Sequence, residues 1–334
     1  MAEIVSIAFD NCQPTALAAV VEALSVANLH YTQSTGEGAP PFNWRTLSED
    51  GRPVRAMGGL TLSSDGDLQD LGEPDLIFLP AILSSEPKRM LDQIASLQER
   101  LGDLLRDHHA RNGLLAANCS AVFLLAEAGL LDERRATTSW WLTRSFTKRY
   151  PRVNLQSKAL VTSDAGIHCA AAFSACLNLG VSLVEHFLGT KAALSCARVM
   201  LVDVNRATQL PYANLAQQTE HGDELVLRAQ TILMSKLTQP MDIADLAMQL
   251  GVTTRTLGRR FGVATGETPS GFLQNARIER AKRLLEATET NVDRIANEVG
   301  YEDTSSFRRL FRRVAGISPG DYRRRFGSFK KEED

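Results

Sequence analysis

Two sets of residues in this 334-residue chain could do chemistry. The first is Cys119, in "LLAANCSAVFLLAEAGLLDERRATTSWW" (114–141), placed just after an apolar run and just before a helical one. A thiolate is a strong nucleophile, and a sharp strand-to-helix turn would present it to a substrate. The second set is arginine. Arg308, Arg309, Arg312, Arg313, Arg323, Arg324 and Arg325 stand against one acid, Asp321. Such a density of guanidinium groups suits phosphate contact, and single ones at helical spacing suit guanine. A solvated charged face is the plainer alternative.

The elements that must position Cys119 lie in residues 1–204, where short β-branched runs alternate with longer helical stretches, an α/β signature. "EIVSIAF" (3–9) predicts a strand and "TALAAVVEALSVANLHY" (15–31) a helix, while "DLIFLP" (75–80) predicts a buried strand. Residues 87–113 predict an amphipathic helix, because Leu91, Ile94, Leu97, Leu101 and Leu104 recur at three and four residues and Gly113 suits its C-terminal cap. The strand "LLAAN" then meets Cys119 and the helix "SAVFLLAEA", closed by Gly129. A helix over 173–189 and another ending near Asp203 complete the layer. Residues 205–224 lose periodicity and gain polarity, which places a linker there, and the chain beyond reads as helical throughout.

Composition is that of a globular protein, 44% hydrophobic and 23% charged. The start, "MAEIVSIAFDNCQP", lacks the basic and continuously apolar regions of a signal peptide, and no stretch is apolar enough for a membrane span. These features imply a cytoplasmic protein with no membrane partner. Cys12, Cys119, Cys169, Cys176 and Cys196 are odd in number and show no paired spacing, which argues against disulfides and a zinc site. No metal or cofactor is expected. Net charge is -2 but uneven: residues 221–334 hold 19 Lys plus Arg against 16 Asp plus Glu, a net of +3, which leaves -5 for residues 1–220. The C-terminal part is therefore the one expected to meet a polyanion.

That part repeats itself. "DLAMQLGVTTRTLGRRFGVATGETPSGF" (245–272) matches "RIANEVGYEDTSSFRRLFRRVAGISPGDY" (294–322) at an offset of 49, then 50, residues. Leu246 pairs with Ile295, Ala247 with Ala296, Gly251 with Gly300, Leu257 with Phe307, Phe261 with Phe311, Gly266 with Gly316 and Pro269 with Pro319. Each unit has the grammar of a helix-turn-helix: a short amphipathic helix, a glycine turn, then a polar cap (Thr253; Asp303 or Thr304) opening a second helix. Residues 271–288 predict a connecting helix of about 27 Å, comparable to the roughly 34 Å between successive major grooves. These residues resemble the DNA-binding domain of the AraC/XylS family of transcription regulators, over about residues 225–326. The resemblance implies outward Arg255, Thr256, Gly258 and Arg259 in the first unit, and Thr304, Ser305, Arg308 and Arg309 in the second. Phosphate contact is expected of Arg312 and Arg313. Gly258 departs from the pattern, so base reading by the first unit would rest on Arg255 and Arg259.

The stretch around Cys119 resembles the nucleophile elbow of the DJ-1/PfpI group, in the class I glutamine amidotransferase-like superfamily, over roughly residues 3–204. The implied fold is α/β, a flavodoxin-like amidotransferase-type sandwich, followed by an all-α double helix-turn-helix domain. Related enzymes set a histidine near the sulfur; here that slot holds Ser139, and none of His30, His108, His109, His168, His186 and His221 occupies it. The acid of the first helix aligns with Ala16, or with Glu22 after a shift. Three roles stay open for Cys119: a pocket residue of a non-catalytic sensor, a buried structural cysteine, and an active nucleophile. His108 and His109 read as solvated, and His168 with Cys169 as core or surface residues facing opposite ways on a strand.

The leading expectation is a non-enzymatic transcription regulator: a sensor (1–204), a linker (205–224) and an AraC-type reader (225–334). Its expected partners are promoter DNA, a small-molecule effector and a second copy of the chain. The expected pocket residues are Asp10, Asn118, Cys119, Ser139 and Trp140. The alternative is a cysteine-dependent amidase, deglycase or protease fused to a DNA-binding domain.

Overall fold

A computed structural model describes residues 1–35, 39–84, 86–213 and 221–328. The chain divides into two compact units, Met1–Gln209 and Leu210–Asp334.

The first unit runs β1 (Ala2–Ile7), α1 (Pro14–Thr35), β2 (Phe42–Leu47), a small hairpin of β3 (Val54–Arg55) and β4 (Thr61–Leu62), β5 (Leu76–Leu79), α2 (Pro87–Ala110), β6 (Leu114–Asn118), α3 (Val122–Glu127), β7 (Arg135–Ala136), α4 (Thr143–Arg149), β8 (Asn154–Leu155), β9 (Val161–Asp164), β10 (Ile167–Ala170), α5 (Ala175–Leu188) and α6 (Thr190–Val199). The six-stranded sheet has the order β2-β1-β5-β6-β10-β9. Its neighbours pair in parallel except β9 with β10, and Ile4 of β1 lies opposite Trp44 and Leu76. Every residue of β5 and β10 is buried, which requires cover on both faces and explains why β5 reads as an unbroken apolar run. Helices α1, α5 and α6 pack on one another, and α2 packs on α3 and β6.

Helix α2 stops short of its expected end. Arg111 caps it, Asn112 takes the left-handed turn at φ 65°, and Gly113 is no cap. A Cβ at Gly113 would lie 2.2 Å from the His108 ring, so glycine there makes room for a side chain. His108, expected in solvent, is 5% exposed, and its Nε2 lies 2.9 Å from the Leu114 carbonyl. Burial in turn holds its pKa below the usual histidine range. His109 is half-buried, its Nε2 accepting from Arg134 at 2.8 Å.

The second unit is helical: α7 (Glu224–Ser235), α8 (Ile243–Gln249), α9 (Thr254–Thr265), α10 (Pro269–Ala287), α11 (Val292–Glu298), α12 (Thr304–Ala315) and α13 (Pro319–Phe326). It holds two cores. Val226, Leu246, Leu257 and Phe261 fill one, and Ile295, Phe307, Phe311 and Tyr322 the other. Helix α10 serves both, giving Phe272, Leu273 and Ala276 to the first and Ile278, Ala281 and Leu285 to the second. Its 19 residues extend about 28 Å. Gly300 must be glycine twice over: its φ is 88°, and a Cβ would meet the Thr238 carbonyl oxygen at 2.9 Å. Residues 214–220, the middle of the expected linker, lie outside the described residues.

Candidate nucleic-acid interface and the Cys119 turn

The two helix-turn-helix units are built alike. In the first, Thr253 Oγ1 accepts from Thr256 N at 3.1 Å and starts α9. Leu257 and Phe261 are fully buried, which turns Arg255 and Arg259 to solvent. Thr256 is half-buried, and its hydroxyl lies 2.9 Å from that of Thr253. Arg260 points elsewhere: it forks onto the Asp223 carboxylate at 2.6 and 2.9 Å, tying α9 to the cap of α7. Its guanidinium holds that carboxyl below the usual range.

In the second unit Asp303, not Thr304, is the cap, accepting from Ser305 N at 3.0 Å and Ser306 N at 2.9 Å. Phe307 and Phe311 are fully buried, so Arg308, Arg309, Arg312 and Arg313 lie on the exposed face of α12 with Ser305, while Thr304 is half-buried. Three of these arginines have partners. Arg308 Nη2 donates to Asp293 Oδ1 at 2.9 Å, Arg309 Nη2 to Ser306 Oγ at 2.8 Å, and Arg313 Nη2 to Gln274 Oε1 at 3.2 Å. The terminal run is more structural: Arg323 donates to the Thr290 carbonyl, Arg324 pairs with Asp321, and Arg325 stacks 5.2 Å over the Tyr212 ring.

At the end of β6 the chain turns sharply. Cys119 has φ 54°, a left-handed conformation that a non-glycine residue adopts under strain, so the expected elbow is present although its turn lacks glycine. Its surroundings are closed. Asn118, Ser120, Thr138 and Ser139 are fully buried, and Cys119 is 2% exposed. Asn118 Oδ1 accepts from Ala81 N at 2.9 Å, and Ser120 Oγ donates to the Ile82 carbonyl at 2.6 Å. Ser139 Oγ lies 2.8 Å from Cys119 Sγ and 2.6 Å from the Ala171 carbonyl oxygen. Burial pushes the thiol up to about 11. Among the described residues, no histidine or carboxylate is hydrogen-bonded to the sulfur, and Glu22 is exposed on α1.

Residues that the sequence did not single out complete this region. Gln209 is 3% exposed; its Oε1 accepts from Trp140 N at 2.9 Å, and its Nε2 donates to the carbonyls of Thr138 at 2.8 Å and Ser157 at 2.9 Å. Gln13 Oε1 accepts from Asn118 Nδ2 at 3.1 Å. Both glutamines lie outside the stretch 114–141 that carries Cys119 and Ser139. Asp10 is not part of it. That residue is exposed, accepts from Arg55 N at 2.9 Å, and lines a cavity of about 500 Å³ with Phe9, Arg52, Val54, Gln93 and Leu97. Of the expected pocket, the structure thus brings Asn118, Cys119, Ser139 and the half-buried Trp140 together and leaves Asp10 apart.

The helix-turn-helix domain family matches residues 246–325, and the DJ-1/PfpI family matches residues 41–185. The transcriptional regulator CdhR of Pseudomonas aeruginosa is 31% identical over 305 residues, covering 91% of this chain and 86% of that protein. The chain belongs to the AraC-type transcriptional regulators that carry a DJ-1/PfpI domain. Two other members are similar over nearly the whole chain. The regulator GlxA of Rhizobium meliloti is 28% identical over 93% of this chain and 92% of its own, and GbdR of Pseudomonas aeruginosa is 25% identical over 94% and 82%. A putative transcriptional regulator protein from Vibrio parahaemolyticus shares the fold, with 17% identity and a TM-score of 0.51 over 60% of this chain and 99% of that one.

In this AraC-type regulator His168 belongs to the core, whereas His186 beside it is exposed. His168 and Cys169 face opposite sides of β10 and both are buried. The His168 ring stands edge-on to His186 at 5.4 Å, and neither of its nitrogens has a hydrogen-bond partner among the described residues. Burial, with the nearby His186, lowers its pKa to about 4. Among the described residues no helix is long and apolar enough to cross a membrane.

Proposed function

We propose that this regulator is effector-controlled: residues 1–204 sense a small metabolite, 205–224 link, and 225–334 read promoter DNA in the cytoplasm, with two copies acting together on paired half-sites. The observation that carries the DNA-reading assignment is the pairing of exposed arginines with buried anchors, Arg255 and Arg259 over Leu257 and Phe261, and Arg308 and Arg309 over Phe307 and Phe311. Arg255, Arg259 and Arg308 read bases. Thr256, Thr304, Ser305 and Arg309 make the short-range polar contacts around them, and Arg312 and Arg313 hold phosphates.

The sensing role rests on the closed chemistry at Cys119, where a thiol raised by burial has no histidine or carboxylate hydrogen-bonded to it among the described residues. The Asp10 cavity, apart from Cys119, has the volume of a small-molecule site. Control is then a population shift: effector binds one arrangement of the protein better than another. One observation favours the alternative, a cysteine-dependent amidase, deglycase or protease: the strained turn at Cys119 is the kind a nucleophile uses.

The test is binding of the full chain to its own upstream DNA across a salt series, for wild type and for Arg255→Ala combined with Arg308→Ala. A discrete site that the double variant loses, while salt-dependent background binding persists, supports the reading. Absence of any discrete site for wild type removes it. Chemistry lost in Cys119→Ser would establish the enzyme instead.

A further inference from the structure

We infer that Asp293, on the helix before the second recognition helix, is a positioning residue that holds Arg308 for base reading. The inference rests on the reading of α12 as the DNA-facing helix. Asp293 lies in the first turn of α11, whose start is fixed by Asn291 Oδ1 accepting from Asp293 N at 2.9 Å. Its Oδ1 in turn accepts from Arg308 Nη2 at 2.9 Å, across fifteen residues of sequence. Both side chains are 56% exposed. An ion pair so open to water contributes little to stability. A carboxylate on this surface also repels the phosphates that the neighbouring Arg309, Arg312 and Arg313 attract. An acid in the first turn also favours its own helix, an effect open to any position of that turn, so the contact with Arg308 is what distinguishes this one.

What the pair does is restrict a side chain. A long guanidinium without a brace can swing onto the nearest phosphate, where it binds every sequence alike. Held at one nitrogen by Asp293, Arg308 keeps its other N–H groups, which have no partner among the described residues, for one direction. A guanidinium offers two parallel donors to O6 and N7 of guanine, a contact that discriminates only if the plane of the group is set.

The internal repeat supplies an independent comparison. At the matched offsets, the position of Asp293 in the first unit is Ala244 and that of Arg308 is Gly258. The unit lacking the arginine also lacks the acid. Arg259 and Arg309, in contrast, are matched in both units, and neither has its partner at the Asp293 position. Brace and reader therefore occur as a pair, and the two half-readers are unequal: the first relies on Arg255 and Arg259, the second adds a fixed arginine.

The experiment selects duplexes from a random pool with the full-length protein, then measures affinity for the selected site, for each single base-pair change, and for unrelated duplex DNA. Arg308→Ala is expected to lose discrimination roughly 5- to 100-fold at one base pair. Asp293→Asn is expected to lose at least about threefold at that same base pair and nowhere else, and to bind unrelated duplex about twofold more tightly. Adding Asp293→Asn to Arg308→Ala changes nothing further at that base pair. Glu298→Gln, which removes the Arg280 partner on the same helix, leaves discrimination intact. Installing Gly258→Arg with Ala244→Asp creates a new base preference in the first half-site that Gly258→Arg alone does not.

The positioning role is overturned if Asp293→Asn keeps full discrimination, if it loses discrimination evenly along the site, or if Gly258→Arg alone matches the pair. A wild type that selects no discrete site overturns the reading of α12 as well, which keeps the two failures apart.

Discussion

The Ser139 hydroxyl stands 2.8 Å from Cys119 Sγ and 2.6 Å from the carbonyl oxygen of Ala171. A hydroxyl has one proton and a carbonyl can only accept, so both contacts are satisfied together when Ser139 donates to Ala171 and the thiol donates to Ser139. That arrangement needs a protonated sulfur. It stands in the place where a base would draw the proton away, and it agrees with a thiol held well above the usual range.

The first prediction follows from that proton. In the native protein Cys119 resists alkylation by iodoacetamide at pH 8, and it reacts once the chain is unfolded. Because its folded pKa lies above the unfolded value, the linked stability is complete below about pH 9 and drains as pH rises towards 11. Ser139→Ala leaves the Ala171 carbonyl and the thiol without their shared partner and costs about 1 to 3 kcal/mol in a denaturant titration. Rapid native-state labelling of Cys119, read by peptide mass, would return the residue to the list of nucleophiles.

His168 predicts acid sensitivity. Its imidazole is neutral in the fold, with a pKa lowered to about 4 by burial and by His186, against about 6.5 in an unfolded chain. Between those values the unfolded chain binds a proton that the native state does not. Stability from this residue is therefore complete above about pH 6.5 and is lost as pH falls towards 4, by roughly 3 kcal/mol in all. His168→Phe, which keeps a ring against His186, is expected to flatten the melting temperature over that interval. An unchanged acid slope would assign the loss to other groups, of which His108 is the next.

How much of this was legible from residues alone differs between the units. The repeat fixed the second unit closely, because Gly251 and Gly300, the buried pairs Leu257/Phe261 and Phe307/Phe311, and the caps are all local signals in a structure built from local contacts. The strand order of the first unit could not be read that way. "FNWRTL" forms β2 at the edge of the sheet, yet its mixture of polar and apolar residues gives no clean alternation, and its partner β1 lies some forty residues away. His108 was misplaced for a related reason: a helix period sets which face is inward, but the burial of its ring depends on Gly113 and the Leu114 carbonyl, beyond the helix. The arginines of the reader were found by type and count. Their partners were not, since Asp293 and Gln274 come from other helices, and nothing local to Asp10 shows that it lines a different space from Cys119.

Gly258 offers a test of the first recognition helix without touching its arginines. It sits inside α9, a Cβ there would meet nothing within 4 Å, and glycine in a helix interior forfeits backbone entropy. Gly258→Ala is expected to raise stability by about 0.5 to 1 kcal/mol in thermal unfolding, with unchanged preference at the DNA site. A loss of binding would show that DNA approaches this helix so closely that a methyl group is excluded.

The connecting helix carries a buried ion pair whose two halves are not equivalent. Glu279 and Lys282 are 6% and 3% exposed and meet at 2.8 Å, one turn apart on α10 between the two cores. Lys282 Nζ also donates to the Ala213 carbonyl at 2.7 Å and stands 5.8 Å from the Tyr322 ring, so the ammonium keeps partners when Glu279 is removed. The carboxylate has no hydrogen-bond partner but Lys282 among the described residues. Removing one member of a buried pair strands a charge and costs about 3 to 5 kcal/mol, whereas replacing both by apolar residues of similar volume is often close to neutral. Lys282→Met is therefore expected at the upper end of that range and Glu279→Leu at the lower end, in denaturation of the full chain followed by far-ultraviolet circular dichroism. The double variant recovers most of the loss but not all of it, because the Ala213 carbonyl remains without its donor. Equal losses for the two single variants would mean that the carbonyl contact contributes nothing to holding the start of the second unit onto α10.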